Sequence, residues 1–246
     1  MVSHVKPAVR LALLLSLVMP WPVRGQVQPG TAHRIRWYEA TSAAAGVGVM
    51  MLLDEPVQRL AQRHRNAATD DLAAVFRPAG EPEVFGTVSL GLATAGLVAH
   101  RPAVTRAGGR LVASLCLAGA TTVALKALLG RARPDAGAGA FDFDPFTRSQ
   151  ALPSGHTAMA FALAASLADE VRSPVVRIGL YGMATGTGLS RINDNRHWAS
   201  DVGLGGLIGV ASAKLVRGRW RVFGIAPPRL LIAPDGAAAL GWRRSF

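Results

Sequence analysis

Six runs of apolar residues divide the chain, at Ala40–Leu53, Val84–Ala99, Leu111–Leu129, Thr157–Ala168, Val175–Leu189 and Val202–Val216. Their length and their Ala, Leu and Val content predict helices rather than strands. Between them lie a polar stretch from Asp54 to Glu83, an arginine-bearing loop from Arg101 to Arg110 and a Gly/Pro/Asp loop from Gly130 to Leu152. Pro174 and the glycines from Gly182 to Gly188 punctuate the later part. After Trp220 the pattern changes. Leu230 to Ala233, the turn Pro234-Asp235-Gly236 and Ala237 to Trp242 predict a small hairpin, with a partly ordered extension as the alternative. The expected fold is all-α, a six-helix bundle followed by this hairpin or tail.

A shorter run stands apart at the N-terminus. Lys6 and Arg10 precede Leu11 to Met19, and Val23-Arg24-Gly25 offers small or permissive residues after it. This is the order of a secretory signal cleaved near Gly25, with an uncleaved N-terminal anchor as the alternative. The expected division is therefore 1–25 as signal or anchor, 26–222 as the helical domain and 223–246 as the C-terminal tail.

Composition narrows the class. Of 246 residues, 50% are hydrophobic, only 6% are aromatic and one is cysteine, which excludes a disordered chain, a disulfide-stapled mini-domain and a collagen-like fibre. The lone Cys116 lies in an apolar run and is expected to pack as a small hydrophobe. A net charge of +12 suggests an anionic partner, but only Lys6, Lys126 and Lys214 are lysines and the arginines are scattered. With no basic stripe interleaved with aromatics, nucleic acid is not expected as a partner. Mean hydropathy of +0.27 lies between soluble and membrane-spanning chains.

The arginines also bear on topology. Arg101, Arg106 and Arg110, then Arg172 and Arg177, then Arg217, Arg219 and Arg221 mark one set of helix ends as cytoplasmic. A cleaved signal followed by six spans predicts the reverse. The two signals agree if the first apolar segment is not a span, if the N-terminal run is retained and one helix is re-entrant, or if the bundle is soluble.

Three clusters carry candidate chemistry. Lys126, late in the third predicted helix, is followed seven residues later by Arg133-Pro134, two cations suited to grip an oxyanion from two sides. Pro153-Ser154-Gly155-His156 opens an Ala-rich helix, where Ser154 caps, the Gly155 backbone admits a ligand and free N–H groups attract an anion. His156 beside such an anion can give a proton to a leaving oxygen. Ser190-Arg191 then leads to His197 and Asp201, four apart and on one helix face if a helix begins there, a spacing that makes a His–Asp dyad. Each cluster has a plainer account: a basic helix C-terminus, a capped helix with a surface histidine, and a solvated polar pair. Convergence of three helix ends favours the chemical reading.

Together the clusters resemble the signature of the type 2 phosphatidic acid phosphatase and vanadium haloperoxidase superfamily: Lys, six residues, Arg-Pro; Pro-Ser-Gly-His; Ser-Arg, five residues, His, three residues, Asp. All eleven fixed positions are present between Lys126 and Asp201. The resemblance implies a phosphohydrolase needing no metal or other cofactor. In it His197 attacks phosphorus to form a phosphohistidine, Asp201 orients His197, and His156 protonates the leaving alkoxide. Lys126, Arg133, Ser154, Gly155 and Arg191 hold the phosphoryl oxygens. The implied substrates are phosphorylated envelope lipids of the phosphatidic acid, phosphatidylglycerol phosphate, undecaprenyl diphosphate or lipid A kind. The implied location is the inner membrane, among membrane lipids, with the site facing the periplasm. A soluble periplasmic acid phosphatase acting on small phosphomonoesters is the first alternative, and a vanadium-dependent haloperoxidase the second. Phe141, Phe143 and Phe146 in the long loop are expected either to form a lipid-facing lip or to pack back on the bundle.

Overall fold

The computed structural model describes residues 32–147 and 150–222, and the backbone of 229–232 and 238–241. The N-terminal run with its cleavage site, and the turn at 234–236, lie outside the described residues. Eight α-helices occur among those described: α1 Trp37–Leu52, α2 Asp54–Arg63, α3 Ala67–Phe76, α4 Pro82–Val98, α5 Pro102–Leu129, α6 Gly155–Ala168, α7 Pro174–Asn193 and α8 Ala199–Val216. The six expected helices are α1 and α4 to α8, and they alternate in direction. Strand β1 His33–Ile35 pairs in parallel with β2 Trp220–Val222, and β3 Arg229–Ile232 pairs antiparallel with β4 Ala238–Gly241, the expected hairpin.

The structure corrects three expectations. The polar stretch is not merely a connection, because α2 and α3 lie in it. Asp54 and Glu55 sit at the positive end of α2, and the Asn66 side chain accepts from the Thr69 N–H to cap α3. Helix α2 is largely polar, and α3, though rich in Ala, Leu, Val and Phe, is only ten residues long and interrupted by Asp70 and Asp71, so an apolar-run criterion passes over both. The arginine-bearing loop is mostly the first turns of α5, which begins at Pro102 because proline suits the first helical position. Cys116 is exposed on α5 rather than packed inside.

Helix α6 is the centre of the bundle and packs against α5, α7 and α8. Ala158, Ala162 and Ala165 are fully buried on it, and Leu111, Leu115 and Ala118 of α5 with Ile208 of α8 complete the core. Close approach of α6 and α8 depends on Gly205 and Gly209. A Cβ at Gly209 would run into the Ala158 carbonyl and the Ala162 N–H, and one at Gly205 into the Ser154 carbonyl. This contact sets the start of α8 over the start of α6, joined by the Ser154 N–H donating to the Asp201 carbonyl at 2.9 Å.

The opposite end is closed by charge. Asp169 and Glu170, both buried, follow α6 and receive Lys214 at 2.8 Å, Arg219 at 3.1 Å and Arg110 at 2.6 Å, with Arg217 also on Glu170. The β1–β2 pair lies at this same arginine-rich end, where the His33 N–H donates to the Arg219 carbonyl. Helices α5 and α8 are each long and apolar enough to cross a membrane, while α4 and α6 are apolar but shorter. Outward-facing Val49, Leu90, Leu97, Val123, Ile178 and Leu207 spread an apolar surface over α1, α4, α5, α7 and α8.

Candidate functional site

The end of the bundle opposite the Asp169–Glu170 ion-pair cluster gathers all three clusters. Lys126 lies in the last turn of α5 and donates to the Gln150 carbonyl. Gly130 then turns the chain with φ of +56°, where a Cβ would strike the Asp144 carbonyl, so glycine is required. Three residues later Arg133 precedes a short 3₁₀ turn beginning at Pro134; its Nε is buried and has no hydrogen-bond partner within the protein.

Ser154 is the N-cap residue of α6, as expected, but its hydroxyl makes no capping bond and instead accepts from the Thr157 hydroxyl at 2.9 Å. The first-turn N–H groups of α6 thus face the site, as at any helix start. His156 lies in this turn, with Arg191, His197, Lys126 and Arg77 within electrostatic reach. Burial first, then those charges, push His156 down to about 4, so the free site holds it neutral.

Arg191 ends α7, with its side chain mostly buried, its Nε unpartnered within the protein and its Nη1 3.1 Å from Asp194. His197 is buried and its Nδ1 lies 3.4 Å from Asp201 Oδ2. The pair does not share a helix face: α8 begins at Ala199, so His197 precedes it while Asp201 sits in its first turn. The Asp201 carboxylate also accepts the Trp198 N–H at 2.9 Å, folding back over the helix start to meet the histidine. Burial lowers the His197 pKa, and the hydrogen bond and charge of Asp201 oppose that shift.

Four residues were not legible as site residues in the sequence. Arg131 is fully buried and donates to Asp201 and Asp54, each at 2.7 Å. Asp54 begins α2. Arg77, in the 3₁₀ turn after α3, grips Asp194 with two bonds of 2.9 and 3.0 Å, and Asp194 in turn holds Arg191. One usable signal was Asp54-Glu55-Pro56 directly after an apolar run, the acidic first turn of a helix. In the long loop Phe143 packs back, with the Arg131 guanidinium 5.5 Å over its ring, whereas Phe141 and Phe146 point outward.

Fold and site define a helical bundle with Lys126, Arg133, Arg191 and two histidines, His156 and His197, gathered at one end. Residues 107–222 match the sequence profile of the PAP2 superfamily. A lipid A 1-phosphatase of Porphyromonas gingivalis is 41% identical over 108 residues, covering 43% of this chain and 22% of the relative. The chain thus aligns with less than a quarter of that relative's length. Two solved structures share the fold. LpxE of Aquifex aeolicus has a TM-score of 0.54 at 23% identity, covering 67% of this chain and 94% of that one. The transmembrane PAP2-type phosphatidylglycerolphosphate phosphatase of Bacillus subtilis has a TM-score of 0.59 at 21% identity, covering 74% and 95%.

Proposed function

We propose that the protein is a phosphoric ester hydrolase that removes phosphate from phosphorylated envelope lipids through a phosphohistidine. The observation that carries this reading is the meeting of an Asp201-oriented histidine, a second histidine and the cations Lys126, Arg133 and Arg191 at one end of an apolar bundle.

In this reading Asp201 engages Nδ1 of His197 and leaves Nε2 to attack phosphorus. The P–O bond to the lipid breaks as the N–P bond forms, and His156 gives its proton to the departing oxygen. A neutral histidine cannot do this, and the charges of a bound phosphate reverse the influence of the surrounding cations and favour the protonated form. Lys126, Arg133, Arg191 and the N–H groups at the start of α6 hold the three non-bridging oxygens, where charge spreads in the transition state. Water, deprotonated by His156, then attacks the phosphohistidine and releases inorganic phosphate with His197 restored. Each role is filled by a side chain or backbone group of this protein, so the reaction is proposed to need no metal.

A lipid substrate is supported by the exposed apolar side chains on α1, α4, α5, α7 and α8, among them Val49, Leu97, Val123 and Ile178. The named activity of the Porphyromonas relative points to lipid A-type phosphates, and that of the Bacillus phosphatase to phosphatidylglycerol phosphate. Arg101, Arg106, Arg110, Arg172, Arg177, Arg217 and Arg219, in the helix connections opposite the site, favour an inner-membrane orientation with the site on the periplasmic face. The test is phosphate release in detergent from lipid A, phosphatidylglycerol phosphate, undecaprenyl diphosphate and p-nitrophenyl phosphate, with and without EDTA. Turnover of a lipid phosphate that survives EDTA and is lost in His197→Ala is expected. Equal turnover by His197→Ala refutes the mechanism, and turnover of the soluble ester alone refutes the lipid substrate.

A further inference from the structure

Arg131 occupies one of the six unspecified positions between Lys126 and Arg133, yet every one of its five N–H donors is used. Nε donates to the Ala140 carbonyl at 2.8 Å, and Nη2 donates to the same carbonyl and to Asp54 Oδ2. Nη1 donates to the Ser200 hydroxyl and to Asp201 Oδ1, both at 2.7 Å. The Ser200 hydroxyl in turn donates to Asp54 Oδ2, and the Ser200 N–H donates to Asp54 Oδ1 at 2.8 Å. The rings of Phe143 and Trp198 each lie 5.5 Å from the guanidinium carbon, holding its plane and keeping water away. Trp198 is fixed in turn by its indole N–H on the Ala132 carbonyl at 3.0 Å.

We propose that Asp54, Arg131 and Asp201 form a buried carboxylate–guanidinium–carboxylate relay in which Arg131 is a positioning residue for the Asp201–His197 pair. This inference rests on the phosphohistidine reading above. Two things follow from the geometry. Arg131 occupies Oδ1 of Asp201 and thereby leaves Oδ2 for His197. An Arg131–Asp201 pair alone would cancel the negative charge that His197 needs as it becomes cationic. Asp54, taking the other arm of the guanidinium, leaves the trio with one net negative charge behind the imidazole. The relay also explains why α2 is present at this end: it delivers the counter-charge from 146 residues upstream of Ser200.

Besides Asp201 on α8, the charged and titratable groups facing His197 are Lys126 on α5, Arg191 on α7 and His156 on α6. These stay constant across a cycle of Asp54→Asn, Arg131→Gln and the double variant, whose trios carry charges of zero, minus two and minus one. The readouts are the pH profile of kcat/KM, the inhibition constant for inorganic phosphate and the melting temperature in detergent. In Asp54→Asn we expect kcat to fall about 10- to 100-fold, the usual loss when a supporting partner of a functional group is removed. Phosphate inhibition should stay within about threefold of wild type, because the oxygen-holding cations are untouched. The acidic limb, set by His197, should move to lower pH in Asp54→Asn, to higher pH in Arg131→Gln, and back toward wild type in the double variant. A purely structural role gives no opposite shifts, so limbs that stay fixed or move together overturn the proposal. So does phosphate inhibition that weakens as much as kcat falls. Should Arg131→Gln fail to fold, the Asp54→Asn limb and inhibition constant decide alone. Wild-type turnover by His197→Ala, in contrast, removes the underlying mechanism and is read separately.

Discussion

The Arg77–Asp194–Arg191 chain links the N-terminal excursion to Arg191, one of the cations proposed to hold the phosphoryl oxygens, and Arg77→Ala isolates it. Two bonds of 2.9 and 3.0 Å join Arg77 to Asp194, whose side chain is only 14% exposed, while Arg77 is 36% exposed. Exposed ion pairs contribute up to about 1 kcal/mol, and a bidentate, partly buried pair about 1–2 kcal/mol. Without Arg77, Asp194 pairs with Arg191 alone and draws that guanidinium away from the ligand, and one positive charge near His156 is lost. Because phosphate carries its charge in both ground and transition states, the loss falls on binding. KM and the phosphate inhibition constant should rise about 5- to 30-fold, since 1.4 kcal/mol is tenfold, with kcat within about threefold. Steady-state kinetics on a detergent-solubilised lipid phosphate measures both. A fall in kcat with unchanged KM, or no change in a variant that melts like wild type, refutes the reasoning.

Acidification supplies a second prediction. His156 is held near 4 in the folded free site against an ordinary 6.5, so between those values the unfolded chain binds more protons. Stability from this group is therefore full above about pH 6.5 and lost as pH falls toward 4. Melting temperature should drop more from pH 7 to 5 in wild type than in His156→Gln, and saturating phosphate should shrink the wild-type drop; equal drops contradict the assignment. Packing supplies a third. Gly209→Ala sets a methyl against the α6 backbone and should cost about 1–3 kcal/mol, whereas Gly206→Ala meets only the Phe161 ring at 3.5 Å and should be tolerated. Thermal unfolding in detergent compares the two, and equal melting temperatures refute the close-approach argument. Topology supplies a fourth. With β1 paired to β2 at the arginine-rich end, a reporter fused after Ile35 should report the cytoplasm, and the N-terminal run should not be removed as an export signal. A periplasmic reporter, or a chain shortened by about 25 residues, contradicts this orientation.

The bundle helices were legible because each buries or exposes apolar residues over several turns, and the three motifs because their spacing straddles helix ends. Helix α2 and the turn after α3 were not, since what they contribute to the site is electrostatic: Asp54 and Arg77 reach partners 146 and 117 residues away that no local pattern announces. Arg131 was hidden for a related reason. A charged residue between Gly130 and Ala132 reads as loop surface, and only the fold encloses it between two carboxylates and two aromatic rings. The His197–Asp201 pair was found by a helical spacing although the helix starts after His197, because the helix start, not the helix face, brings the carboxylate back.

The most direct measurement is rapid quench under alkaline conditions after mixing the protein with ³²P-labelled lipid phosphate, followed by peptide mapping. A base-stable, acid-labile label on the peptide containing His197, absent in His197→Ala and accumulating in a variant slowed in hydrolysis, is the predicted result. Turnover with no protein-bound phosphate at any quench time, or label on another residue, contradicts it.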